Sequence, residues 1–144
     1  MQFSKVSEEK YLIRLELGEQ INESLKKFCQ KMEIENGSVS AIGSVKDPVL
    51  AHYRVDSKKY SEKTLKGIFE IASMTGNIGL FEGKPLIHIH VVVSDESMQA
   101  FAGHLVDAQV SATLEILLIK FNTKLTKSFN EQIGLKLYDL TDSC

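Results

Sequence analysis

Apolar and polar positions alternate from Tyr11 to Leu17. Tyr11, Ile13, Leu15 and Leu17 share one face, and Leu12, Arg14 and Glu16 share the other. A period of two predicts a strand, and Gly18 breaks it. The period then lengthens: Ile21, Leu25, Phe28, Cys29 and Met32 recur three and four apart, with Glu23, Lys26, Lys27 and Lys31 opposite. That spacing predicts an amphipathic helix over 21–32, with Gly37 as its stop.

From there to about residue 120 the pattern is mostly that of strands. Residues 38–45 are small and β-branched, Asp47-Pro48 marks a turn, and 49–55 form the next strand. A polar loop over 56–63 precedes a strand over 64–74. The Gly76-Asn77 pair reads as a turn into 78–81, and Glu82-Gly83-Lys84 as a hairpin. Residues 86–93 look the most buried. Ser94 or Asp95 is placed to cap a short helical turn in the polar stretch 94–99. Residues 110–121 fit a helix as well as a strand, but the β-branched Val110, Thr113, Ile116 and Ile119 favour strand. Leu135, Leu137 and Leu140 suggest a last edge strand in an otherwise polar tail.

One helix followed by many strands argues for the α+β class with a mostly antiparallel sheet. Several strands are apolar on both faces, which predicts a barrel, a two-sheet packing, or a sheet covered by partner subunits. At 144 residues the chain fits a single domain spanning 1–144.

Composition narrows the function classes. The formal net charge is −2, and of the 17 basic residues only Arg14 and Arg54 are arginine. A nucleic-acid binder ordinarily carries a basic stripe, and arginine is the usual reader of guanine and of narrow minor grooves. The balance therefore argues against DNA as a partner, although lysines gather at Lys58, Lys59, Lys63 and Lys66 and again from Lys120 to Lys136. Two cysteines, Cys29 and Cys144, make no disulfide framework and are expected as reduced thiols. No apolar run follows the opening Met-Gln-Phe-Ser-Lys, so the expectation is a cytoplasmic protein with no membrane partner.

The chemistry concentrates in His88 and His90, within Leu86-Ile87-His88-Ile89-His90-Val91-Val92-Val93. Residues two apart on a strand face the same way, about 6.6 Å apart at ~3.3 Å per residue. Two imidazoles so placed can converge on one ion. His104 follows in Ala102-Gly103-His104-Leu105, and three neutral histidines with an open fourth position suit a catalytic zinc. The same spacing also suits satisfied half-buried histidines or a pH-sensitive patch. His52 is a weaker candidate. Glu70 and Glu115 lie within apolar strand segments. Each is a candidate ligand, hydrogen-bond partner to an imidazole, or general acid/base, with a contact across a subunit interface as the alternative. Ser73, Thr75, Asn77 and Asp107 are available to line a pocket but make no nucleophilic set. Gly76-Asn77-Ile78-Gly79 is too short for a phosphate loop.

These segments together resemble the plants-and-prokaryotes-conserved (PPC) domain. Gly67-Ile68-Phe69-Glu70-Ile71-Ala72-Ser73-Met74-Thr75-Gly76 is similar to that family's Gly-Arg-Phe-Glu-Ile-Leu-Ser-Leu-Ser-Gly segment, with Ile68 in the arginine position. Pro85 to His90 resembles its His-x-His strand. Gly103-His104-Leu105 resembles its Gly-Gly-His-Leu segment, with Ala102 in place of the first glycine. The helix and Ile42-Gly43-Ser44-Val45 match as well. The resemblance implies an α+β homotrimer built on an antiparallel sheet. It implies a fold shared with acetolactate decarboxylase and a zinc-dependent ester hydrolase, both with three-histidine metal sites. Carried onto this chain, it points to zinc or another divalent metal on His88, His90 and His104; in an enzyme reading, Glu70 or Glu115 would handle the proton. Prokaryotic members are often labelled DNA-binding by analogy with plant proteins, where an Arg-Gly-Arg-Pro segment binds the minor groove. No such segment occurs in this sequence. The readings that follow are an assembly module holding a metal, a metal-dependent lyase or hydrolase acting on a small carbonyl or ester compound, and a DNA-binding regulator.

Overall fold

The computed structural model describes residues 1–140. Within them the chain forms β1 (Gln2–Lys5), β2 (Lys10–Glu16), α1 (Ile21–Lys31), β3 (Gly37–Arg54), β4 (Lys59–Thr64), β5 (Ile68–Phe81), β6 (Lys84–Ser94), β7 (Ala100–Lys120), β8 (Lys127–Asn130) and β9 (Leu135–Tyr138). The alternation in β2 is realised as read, with Tyr11, Ile13 and Leu15 buried and their neighbours exposed. In α1 the apolar stripe Ile21, Leu25, Phe28 and Cys29 is buried. The helix ends before Gly37: Met32 is its C-cap, and Glu33 in the left-handed region (φ 52°) turns the chain. Gly37 instead opens β3.

Seven strands form one sheet in the order β1-β2-β7-β6-β5-β3-β4, every neighbouring pair antiparallel. A further pairing between β3 and β7 closes β3, β5, β6 and β7 into a ring. The class is therefore α+β with a mostly antiparallel sheet, and the barrel-like alternative is the one adopted. Strand length makes closure necessary. The 21 residues of β7, extended at ~3.3 Å each, would reach about 70 Å, several times the roughly 15 Å radius of gyration of a domain this size. The strands bend instead at register shifts, between Ala41 and Gly43 and again between Gly43 and Leu50, as bulges do. The ring's interior carries Val45, Ile71, Met74, Ile89, Val91, Val93 and Leu114, continuous with the buried face of α1.

Several turn signals proved to be strand. Asp47-Pro48 lies inside β3 and bonds the chain at 65–67 rather than reversing: Asp47 N donates to Gly67 O (2.8 Å) and Leu65 N to Pro48 O (2.9 Å). The strand β5 runs straight through Gly76-Asn77. A Cβ on Gly76 would sit 2.4 Å from the His88 carbonyl oxygen, so this glycine permits close strand approach rather than a turn. The polar 56–63 segment is a tight turn followed by β4. The hairpin at Glu82-Gly83 is present, both residues having positive φ (50° and 74°), as a type I′ turn requires. Asp95 organises its loop by accepting from the Ser97 and Gln99 amides (2.9 and 3.0 Å), without a helical turn. Residues 110–120 are strand, as favoured, and belong to the longer β7. The tail carries an unforeseen β8. Leu135 and Leu137 pair with it in a separate two-stranded sheet, while Leu140 lies beyond β9 and is exposed.

Cys29 is buried and free, and burial pushes its thiol pKa up to about 12. Cys144 lies outside the described residues. No helix among the described residues is long and apolar enough to cross a membrane.

Candidate metal centre

The aliphatic face of β6 is buried through Ile89, Val91 and Val93. Alternation therefore turns His88 and His90 to the opposite, concave side. Pairing of β6 with β7 sets His104 directly across from His90. The three rings lie 5.1, 5.1 and 5.7 Å apart, centroid to centroid. One nitrogen from each lies within 4.8 Å of the other two. Zinc–nitrogen bonds of about 2.0–2.1 Å place tetrahedral ligands roughly 3.4 Å apart, so small side-chain rotations bring these three onto one ion.

Burial and charge favour the neutral form of His88 and His104, the form that binds metal. Desolvation lowers the His88 pKa to about 4, helped by the neighbouring charges of His104, His90 and Lys127. Desolvation, and then His90, also lowers that of His104, against an opposing pull from Glu62. Nδ1 of His104 is buried without a hydrogen-bond partner. An orphaned imidazole nitrogen beside two other histidines matches the donor set of a metal site.

The histidines line a cavity of about 860 Å³, within the usual range for small-molecule sites. Tyr60 stacks near His104 (5.3 Å) and Tyr53 near Tyr60 (4.8 Å) on one side. The β8–β9 hairpin supplies the other wall through Lys127, Phe129, Leu137 and Tyr138. Asn77, paired in register with His88, accepts hydrogen bonds from Lys127 Nζ (2.7 Å) and the Tyr138 hydroxyl (3.2 Å).

The other candidates are placed as follows. His52 lines the cavity but is outside the three-histidine group, because Ala51, not His52, is in register with His104. Glu70 and Glu115 are exposed, so neither is the buried carboxylate its apolar surroundings suggested. Neither lines the histidine cavity. Glu70 pairs with Ser44 and Ser94, and Glu115 sits between Arg14 and Ile42 on the outer sheet face. Asp107 accepts from the Asn22 amide (3.2 Å) at the start of α1. Thr75 is level with His90, and Ser73 is exposed. Lys127, Tyr138, Tyr53 and Tyr60 were missed. Lys127, Tyr138 and Tyr60 lie in polar stretches without periodicity and Tyr53 in a strand segment that marks no chemistry, so only contact in the folded sheet reveals a role.

The profile of the Plants and Prokaryotes Conserved (PCC) domain matches residues 2–122. The chain belongs to this family. Among curated proteins, none gives a significant match. Solved structures do. A PPC protein of Pyrococcus horikoshii is 31% identical, with 99% of this chain and 97% of that one covered and a TM-score of 0.87. A protein of Archaeoglobus fulgidus described as metal-containing is 30% identical over 96% of this chain and 98% of that one, with a TM-score of 0.84. A Bacteroides thetaiotaomicron protein provisionally named DNA-binding is 28% identical over 96% of each chain, with a TM-score of 0.92. The β8–β9 wall of the cavity lies beyond the segment that matches the PCC domain.

Proposed function

We propose that this PCC-domain chain holds one divalent metal ion, zinc foremost, on His88, His90 and His104, with an open coordination position facing the cavity. The observation that carries this is the convergence of three imidazoles, one with an orphaned buried nitrogen, on a cavity whose lining among the described residues contains no acid. The similarity to a metal-containing archaeal protein supports it. When bound, such an ion polarises a carbonyl or activates a water, the chemistry of a lyase or hydrolase on a small carbonyl or ester compound. The chain's own part is to hold the imidazoles through the β6–β7 register and to shield them with the two tyrosines and the hairpin. The proposed centre does not draw on Glu70 or Glu115.

Elemental mass spectrometry tests this directly. The untagged protein is expected to carry close to one equivalent of divalent metal per chain, and the His88→Ala variant close to none. A wild-type protein that retains no metal after incubation with zinc and gel filtration would overturn the proposal.

A homotrimer belongs to the same reading. Leu12, Ile42 and Leu117 are 51%, 61% and 38% exposed at neighbouring register positions on β2, β3 and β7. A central sheet face so apolar suits a subunit interface. DNA binding, after which two similar structures are provisionally named, is the second reading. A net charge of −2 gives phosphate attraction little to work with.

A further inference from the structure

The β8–β9 hairpin crosses the mouth of the histidine cavity and is tied down at both ends. At one end Lys127 and Tyr138 bond Asn77 on β5, and the Tyr138 hydroxyl also donates to the Ile78 carbonyl (3.1 Å). At the other end the Tyr53 hydroxyl donates to the Ile133 carbonyl (2.7 Å) and Lys58 Nζ to the Glu131 carbonyl (2.7 Å). Gly79 leaves the room that this docking needs: a Cβ there would lie 2.6 Å from Cε of Lys127 and 2.8 Å from the Tyr138 ring.

What the hairpin delivers is a buried cation. Lys127 is 7% exposed, and it takes part in none of the ion pairs among the described residues. Its neighbours are neutral: the Asn77 oxygen, and the Tyr138 ring with its centroid 4.3 Å from Nζ. A lysine this buried ordinarily has a counter-charge. Burial accordingly lowers its pKa, with no carboxylate among the described residues to offset the effect. No aspartate or glutamate among the described residues lines the cavity. The described lining therefore carries no negative charge, and a divalent ion on the histidines would deepen the deficit.

We propose that Lys127 is the anion anchor of this cavity and that its ligand is a small organic carboxylate with an apolar body. The ammonium holds the carboxylate, and Leu86, Phe129 and Leu137 receive the carbon skeleton. Lys136 also lines the cavity but is exposed, with its Nζ over the Phe81 ring (4.2 Å to the centroid), so the single buried ammonium suits one negative charge. Neither arginine lines the cavity, as a phosphate ester would favour. The inference rests on the proposed metal centre for the ligand's second contact but not for Lys127 itself.

Cobalt-loaded protein gives a visible spectrum that shifts when an anion reaches the ion. Acetate, 2-hydroxyisovalerate and inorganic phosphate are titrated into the wild type, Lys127→Met and Lys127→Arg, with circular dichroism confirming the fold of each. The wild type is expected to bind 2-hydroxyisovalerate more tightly than acetate or phosphate. Lys127→Met is expected to weaken that binding about tenfold or more, as loss of a charge-assisted hydrogen bond does. It should leave one cobalt per chain, and Lys127→Arg should recover part of the loss. Equal affinity in wild type and Lys127→Met, tighter binding of phosphate, or no carboxylate binding at tens of millimolar would each overturn the proposal. If cobalt is not retained, the metal centre falls by itself. The same comparison is then read by calorimetry on metal-free protein, where Lys127-dependent carboxylate binding supports the anchor and its absence overturns it.

Discussion

His88 is held neutral chiefly because β6 and the hairpin strip water from one side of its ring. Its pKa of about 4, against an ordinary 6.5, means that the unfolded chain takes up a proton between those values while the folded chain does not. Stability of the metal-free protein is therefore complete above about pH 6.5 and falls as the pH drops toward 4, with no further loss from this group below that. The cavity is open to solvent, so the loss is about 1–2 kcal/mol after screening. Urea midpoints measured across pH 4–7 check this, and His88→Gln is expected to flatten the slope. A midpoint that rises on acidification would contradict the assignment. The histidines themselves were legible in the sequence, since His-x-His on a strand has one geometric consequence. The environments of Glu70 and Glu115 were not. An acid flanked by apolar residues reads as buried, but alternation put both on the outer sheet face, where they stay wet.

Among the elements, β5 and β6 position the site, and their ladder depends on Gly76. Alanine there would bring a methyl group to 2.4 Å from the His88 carbonyl oxygen, which is backbone and cannot rotate away. Gly76→Ala is expected to cost about 2–3 kcal/mol in denaturant unfolding and to weaken metal retention, because the displaced strand carries two of the three histidines. A stability within 0.5 kcal/mol of wild type, on the scale of neutral surface changes, would refute this account. The same glycine explains a misread element: Gly-Asn is a turn signal by local preference, but here the partner strand's approach selects glycine. The α1 stripe and β2 were legible because burial on one side imprints a period. The strands β1 and β8 were not, being four residues each and largely polar.

For the whole molecule, the exposed apolar patch around Ile42 and Leu117 leads to a prediction about assembly. Light scattering coupled to gel filtration is expected to give three times the chain mass for the wild type and one chain for Ile42→Glu/Leu117→Glu. A wild-type monomer at micromolar concentration would remove the trimer. In the trimer, Arg14 and Glu115, in register beside the patch, would border the interface, which was one of the two readings of Glu115.

The class of the fold, the core faces of β2, α1 and β6 and the three-histidine set were written in the sequence, because periodicity and spacing are local quantities. Ring closure through β3 and β7, the register that sets His104 opposite His90, and the hairpin that brings Lys127 over the cavity were decided only in the tertiary structure. Each depends on contacts between residues far apart in the chain, as between Asn77 and Lys127, and no short-range pattern encodes which distant strand will supply the partner.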